Sequence, residues 1–239
     1  MAKRINSNIK DSVSVIIPAY NEEENIELAA RTVINVLSNI GIKDYEILII
    51  NDGSTDRTKT IINNLAGKNT HIRTIHHVQN QGIGSAFRTG IQNATKVYFT
   101  GFPADMDWSI DSFKNLVLAK KEHCFVSCYL ENMEDRQFRR QLISQSFTIV
   151  MNIIFRLKFR YYNGYFICPT EILKQIEFNS DGFTIFAEIK VKVIRKGVTF
   201  IEISSEHRPR LHGVSKAYTV KNILRTFSFL PSLINDIYF

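Results

Sequence analysis

The sequence is short of the features that mark whole classes of protein. It holds only three cysteines, Cys124, Cys128 and Cys168, an odd number without the paired spacing of a zinc site. The Met1 end lacks the continuous apolar stretch of a signal peptide. No stretch reaches the roughly 18 uncharged apolar residues of a spanning helix, and repeats, low-complexity segments and obvious linkers are missing too. The expectation is a reduced, cytoplasmic protein. One further absence is local: residues 136–160 contain no acidic side chain.

What is present is ordinary for a globular protein: 239 residues, 44% hydrophobic and 22% charged. Disorder and collagen-like structure are excluded, and a chain of this length buries a sizeable core in one large domain. The net charge of +7 is unevenly placed. Residues 1–135 carry 14 basic and 16 acidic groups, and residues 161–206 carry 5 and 6. The excess lies in residues 136–160, with 6 basic groups, and in residues 207–239, with 5 against 1 acidic. A nucleic acid, a membrane surface or an anionic substrate would each suit those two segments.

The first half alternates two periodicities. Apolar, β-branched runs at 12–18 and 45–50, with weaker ones at 71–78 and 96–100, predict strands. Between them 22–38, 56–65 and 84–94 have helical spacing, the first with Asn21 as its N-cap. Such alternation implies a mostly parallel sheet covered on both faces, with ligand sites beyond the carboxyl ends of its strands. After an apolar run at 124–130, residues 139–157 read as a helix. Gln141, Gln145, Thr148, Asn152 and Arg156 form its narrow polar stripe. A second amphipathic helix is expected at 218–230, where Pro231 should end or kink it.

Each expected strand end carries small, polar or acidic residues. Pro18-Ala19-Tyr20-Asn21-Glu22-Glu23 follows the first and Asn51-Asp52-Gly53-Ser54-Thr55-Asp56 the second. A carboxylate there either accepts hydrogen bonds from a nucleoside or belongs to a turn that caps the next helix. The third loop, Asn80-Gln81-Gly82-Ile83-Gly84-Ser85-Ala86-Phe87, approaches a dinucleotide fingerprint but has Phe87 in place of the last glycine. A helix N-terminus whose N–H groups face an anionic ligand is preferred for it. In the fourth, Phe102-Pro103-Ala104-Asp105-Met106-Asp107-Trp108, two carboxylates one residue apart suit a hard divalent cation that also holds phosphate oxygens; a solvated turn is the alternative. The histidines, including adjacent His76 and His77, lack shared-ligand spacing and read as surface or loop residues.

Taken in order, SVIIPAYNEEENI, EILIINDGSTDRT, NQGIGSAFRTGI and FTGFPADMDWSID resemble the nucleotide-sugar domain of inverting family 2 glycosyltransferases with the GT-A fold. Further on, Asp181-Gly182-Phe183 with Glu188, then the run HRPRLHGVSK from His207 to Lys216, resemble the dolichyl-phosphate mannosyltransferase and polyprenyl-phosphate glycosyltransferase branch. The resemblance implies an α/β, mostly parallel Rossmann-like sheet flanked by helices, with amphipathic interfacial helices in the C-terminal half. A single domain would divide into a nucleotide-sugar half, 12–135, and an acceptor and membrane-interface half, 136–239.

By position, the resemblance implies that Pro18, Ala19, Tyr20, Glu22, Asp52, Gly82 and Asp105 bind the nucleotide sugar. Asp105 matches the second Asp of the family's metal motif, and Asp107 a place where the branch often has Gln. Pro103 replaces the first Asp and cannot ligate through its side chain. Mg²⁺ or Mn²⁺ would then be held by Asp105 and Asp107. Arg208, Arg210, Ser215 and Lys216 match residues near the donor diphosphate or acceptor phosphate, Arg210 and Lys216 assisting catalysis. Arg140 and Ser144 match an interfacial helix beginning R-x-x-x-S-R, with Gln145 in place of the second Arg. Asn163-Gly164-Tyr165 stands where relatives have Ser-Gly-Phe on the acceptor side.

The expectation is a metal-dependent enzyme that moves a hexose from a GDP- or UDP-linked sugar to a polyprenyl or dolichyl phosphate with inversion. It would sit peripherally on the cytoplasmic face of an anionic membrane, with a membrane protein as a candidate partner and no nucleic acid. Two alternatives stand beside it. Transfer to a glycan hydroxyl would need Asp111 or Glu188 as a base, and Pro103 suggests a catalytically impaired sugar-nucleotide-binding module.

Overall fold

The computed structural model describes residues 11–131, 138–206 and 220–238, the side chains of 138–140 and 220–228 excepted. The expected alternation is there: β1 (Val13–Ala19), α1 (Ile26–Asn39), β2 (Tyr45–Asn51), α2 (Thr58–Lys68), β3 (Ile72–His76), α3 (Ile83–Asn93) and β4 (Tyr98–Gly101), followed by α4 (Ile110–Leu118), where no helix was expected. The chain continues through β5 (Cys124–Leu130), α5 (Phe138–Phe155), β6 (Phe166–Pro169), α6 (Thr170–Lys174), α7 (Ile185–Arg195), β7 (Thr199–Ser205) and α8 (Val220–Tyr238). One sheet results, in the order β3-β2-β1-β4-β6-β5-β7. Only β6 runs against its neighbours β4 and β5; the other pairs are parallel.

Both faces of the central strands are buried, which is why β1 and β2 read as continuous apolar runs rather than alternating ones. Val13, Val15 and Ile17 pack under α1, α2 and α4. Ile16, Leu48 and Ile50 point the other way, towards α3, α6 and α7. The buried carboxylate in β2, Glu46, is fully partnered: its Oε1 accepts from Ser14 Oγ (2.7 Å), Thr95 N (2.6 Å) and Thr95 Oγ1 (2.9 Å), and its Oε2 from Arg73 Nη1 (2.6 Å). Burial alone would raise its pKa, but these donors outweigh it and hold the carboxylate below its ordinary range.

Several expectations change. Asn21 does not cap α1; it has φ 56°, and the helix begins after Asn25. Residues 166–169 and 199–205 carried no strand expectation, yet they form β6 and β7. They are short, or flanked by polar residues, and are stabilised by the sheet around them. Pro231 does not end the last helix, which continues to Tyr238. The expected interfacial helix, α5, is half core: Phe147, Met151 and Phe155 pack with Ala187, Val191, Leu230 and Leu233. Its opposite side leaves Leu142, Ile149 and Ile153 exposed by 54, 58 and 72%. The three cysteines are free and buried, as core thiols should be.

Candidate active site

The order of strands reverses between β1 and β4, the place where a doubly wound sheet opens a crevice at its carboxyl edge. Into that crevice run the loops after β1, β2 and β4. The first two are laced together: Asn21 N donates to Ser54 Oγ (3.0 Å), Glu22 N to Thr58 Oγ1 (2.8 Å), Glu23 N to Asp56 Oδ2 (3.2 Å), and Thr55 N to Asn21 Oδ1 (2.8 Å). Asp52 N donates to Ala19 O at 2.8 Å. Pro18, Ala19, Tyr20, Glu22 and Asp52 therefore lie together, with Tyr20 exposed and Ala19 and Asp52 buried.

Asp52 is engaged by the protein itself. Its Oδ1 accepts from Gln81 N (3.0 Å) and faces His77 Nδ1 (2.7 Å), and its Oδ2 accepts from Gly82 N (2.8 Å). Gly84 N is taken by Asp181 O at 2.8 Å. The anion expected at this helix N-terminus is thus a carboxylate of the chain, and the fingerprint reading gives way to a packing one: Phe87 is buried against Phe99, Phe166 and Phe186. Gly82 has φ 94°, and a Cβ there would meet Asp181 O at 2.4 Å, so only glycine serves. Arg88 binds Asp181 and the Ser180 carbonyl, fixing α3 to the 179–184 loop. Glu188 holds that loop from below: fully buried, it accepts from Asn179 N (2.9 Å), Ser180 N (2.8 Å) and Lys192 Nζ (2.8 Å).

Beyond β4, residues 102–104 are buried and Asp105 and Asp107 half-buried. Met106 between them has φ 58°, and Asp107 N donates to Asp105 Oδ1 at 3.3 Å. Trp108 anchors the turn by stacking on Tyr165 at 4.7 Å, which brings Asn163-Gly164-Tyr165 alongside. Pro103 offers no ligand. Among the described residues no three His, Cys, Asp or Glu gather as a metal cage. Two carboxylates nevertheless suit Mg²⁺, which is usually completed by substrate oxygens and water. Ser109 N donates to Glu206 O (3.1 Å), and Glu206 N to Ser112 Oγ (2.9 Å). The end of β7, from which the basic segment departs, is therefore bonded beside Asp105 and Asp107.

Arg208, Arg210, Ser215 and Lys216 lie outside the described residues, as does the side chain of Arg140. Ser144 is buried on α5 and Asn163 half-buried. His77 was missed. It follows β3 with no motif around it, and its partners Asp52 and Thr89 are distant in sequence.

Residues 14–188 match the family described as Glycosyl transferase family 2. The chain is 30% identical over 222 residues to a dolichol-phosphate mannosyltransferase of Pyrococcus furiosus, a match that covers 89% of this chain and 62% of that relative's length. Among solved structures, glucosyl-3-phosphoglycerate synthase of Mycobacterium tuberculosis with Mg²⁺ and uridine diphosphate has a TM-score of 0.71 at 18% identity. It covers 94% of this chain and 80% of its own. The same enzyme with Mn²⁺, uridine diphosphate and glucosyl-3-phosphoglycerate gives 0.70, with the same identity and coverage. These structures share the GT-A-like fold. With a family match across most of its length, residues 14–188, the chain belongs to glycosyl transferase family 2.

Proposed function

We propose that this protein transfers a hexose from a GDP- or UDP-linked sugar to a polyprenyl or dolichyl phosphate, with inversion, while bound peripherally at the cytoplasmic face of a membrane. The observation that carries the reading is the junction at Ser109 and Glu206, which starts the basic 207–219 segment beside the Asp105 and Asp107 turn. An anionic donor and an anionic acceptor both need cationic groups at such a place. The similarity to a dolichol-phosphate mannosyltransferase supports the same reading.

A phosphate acceptor is already anionic at neutral pH, so in-line attack on the anomeric carbon requires positioning rather than a strong base. The β1 and β2 loops would seat the nucleoside. Asp105 and Asp107 would hold a divalent cation, whose chemistry is to offset charge developing on the departing diphosphate. Arg210 and Lys216 would share that task, and Arg140, Ser144, Asn163, Arg208 and Ser215 would face the acceptor. Transfer to a glycan hydroxyl is less favoured: Glu188 is buried with both oxygens occupied, and Asp111 is exposed on the first turn of α4.

No helix among the described residues is long and apolar enough to cross a membrane. Leu142, Ile149 and Ile153 on α5 would enter the interface while basic residues of 136–160 meet anionic headgroups. The test is transfer of labelled sugar by purified protein from GDP- and UDP-linked donors to polyprenyl phosphate or to an oligosaccharide. Lipid-linked product is expected. Product only on the oligosaccharide, or no transfer with any donor, would overturn the reading. Asp105→Ala should lower transfer about 100-fold or more with an unchanged circular dichroism spectrum.

A further inference from the structure

Lys190 is fully buried in α7, where a hydrophobic residue would cost far less. Taking an ammonium out of water costs several kcal/mol, and an apolar residue of similar volume is often as stable or more so. Its surroundings are specific. Nζ donates to Tyr161 O at 2.7 Å and lies 5.6 Å from the centre of the Phe159 ring. Cys128 of β5 and Glu202 of β7 also act on its charge, and burial pushes its pKa down to about 7 against the pull of Glu202.

Among the described residues, the partners of Lys190 named above belong to one loop or to the strands beneath it. In residues 157–165, Asn152 of α5 binds Phe159 at both N (3.1 Å) and O (2.8 Å) and accepts from Tyr162 Oη (2.9 Å). Glu202 accepts from Arg160 N at 3.1 Å through both oxygens. Gly164 is pressed so closely on β5 that a Cβ would lie 1.9 Å from Cys128 O. The loop ends at Tyr165, stacked on Trp108 beside the Asp105 and Asp107 turn. The Tyr161 carbonyl faces the protein interior, and α7 supplies its donor through a long side chain.

We propose that Lys190 is a positioning residue: with Glu202 it holds the 157–165 loop, and through it Asn163 and Tyr165, at the acceptor side of the site. That this side receives the acceptor rests on the function proposed above; that Lys190 orders the loop does not.

Two measurements at one pH separate these statements. In Lys190→Met, hydrogen exchange of peptides covering 157–165 should quicken about tenfold, while peptides of β1, β2 and α3 keep wild-type rates. In transfer assays the KM for polyprenyl phosphate should rise at least fivefold, with the donor KM and the kcat at saturating acceptor within twofold of wild type. Glu202→Gln, which keeps the lysine, should change both in the same direction by less, and it decides the matter if Lys190→Met does not fold. Wild-type exchange in the loop of the folded variant overturns the proposal, as does an equal loss in kcat and donor KM. If wild-type protein makes no lipid-linked product, the proposed function falls, and the exchange experiment still tests Lys190.

Discussion

His77 Nδ1 lies 2.7 Å from Asp52 Oδ1, and His77 Nε2 lies 2.9 Å from Thr89 Oγ1. A carboxylate only accepts, so Nδ1 carries the proton whatever the charge of the ring. The imidazole links β2, β3 and α3 at the point where the nucleoside would sit. His77→Ala should cost about 1–3 kcal/mol in urea unfolding, because it removes a donor from a buried carboxylate. Titration calorimetry with GDP and UDP should show weakened binding as well. Unchanged nucleotide affinity would leave Asp52 as a brace for the α3 turn alone.

Gly82 gives a backbone test of the same place. Gly82→Ala forces a side chain into a left-handed conformation and against the Asp181 carbonyl. A cost of about 1–3 kcal/mol is expected, seen as a fall in Tm of roughly 2–12 °C. Nucleotide binding should weaken with it, since Gly82 N is one of the donors to Asp52.

The pH dependence of stability should owe much to Glu46. Its pKa is held below the unfolded value, so its contribution is present above that value and is lost as pH falls through the folded one. In chemical unfolding between pH 6 and pH 3, Glu46→Gln should be less stable than wild type at pH 6. The gap should narrow as the pH falls, and a constant gap would rule out this origin.

Membrane attachment can be separated from nucleotide binding. Replacing Leu142, Ile149 and Ile153 together by Ser removes exposed apolar surface without touching the buried side of α5. Sedimentation with anionic liposomes should fall at least tenfold, given about 0.8 kcal/mol for each CH₂ group that enters the interface. Nucleotide affinity should not change.

The sequence foreshadowed the first half well, for a physical reason. Buried parallel strands and amphipathic helices leave their periods in the chain, and β1 to β4 fall within a few residues of the places expected. The second half was less legible. β6 has only four residues, and its identity comes from strands on either side. At the site, Asp52 and the loop of Gln81 and Gly82 were recognisable, whereas their pairing was not: His77 and Gln81 are 25 and 29 residues from Asp52. The polar stripe on α5 was visible, but nothing local said that Asn152 turns inward to bind Phe159 and Tyr162. Lys190 reads as one more surface lysine until α7 is seen packed on both sides.

The antiparallel strand β6 bears on how this molecule can be made. It lies between β4 and β5, although β5 is completed at Leu130 and β6 begins only at Phe166. On the ribosome, β4 must therefore emerge with one hydrogen-bonding edge open, and β5 without its neighbour on that side. Open, apolar edges recruit other chains. The interval before Phe166 to Pro169 is synthesised thus leaves these two edges of the nascent protein exposed to aggregation. Fragments ending near residue 131 would be fixed in that state.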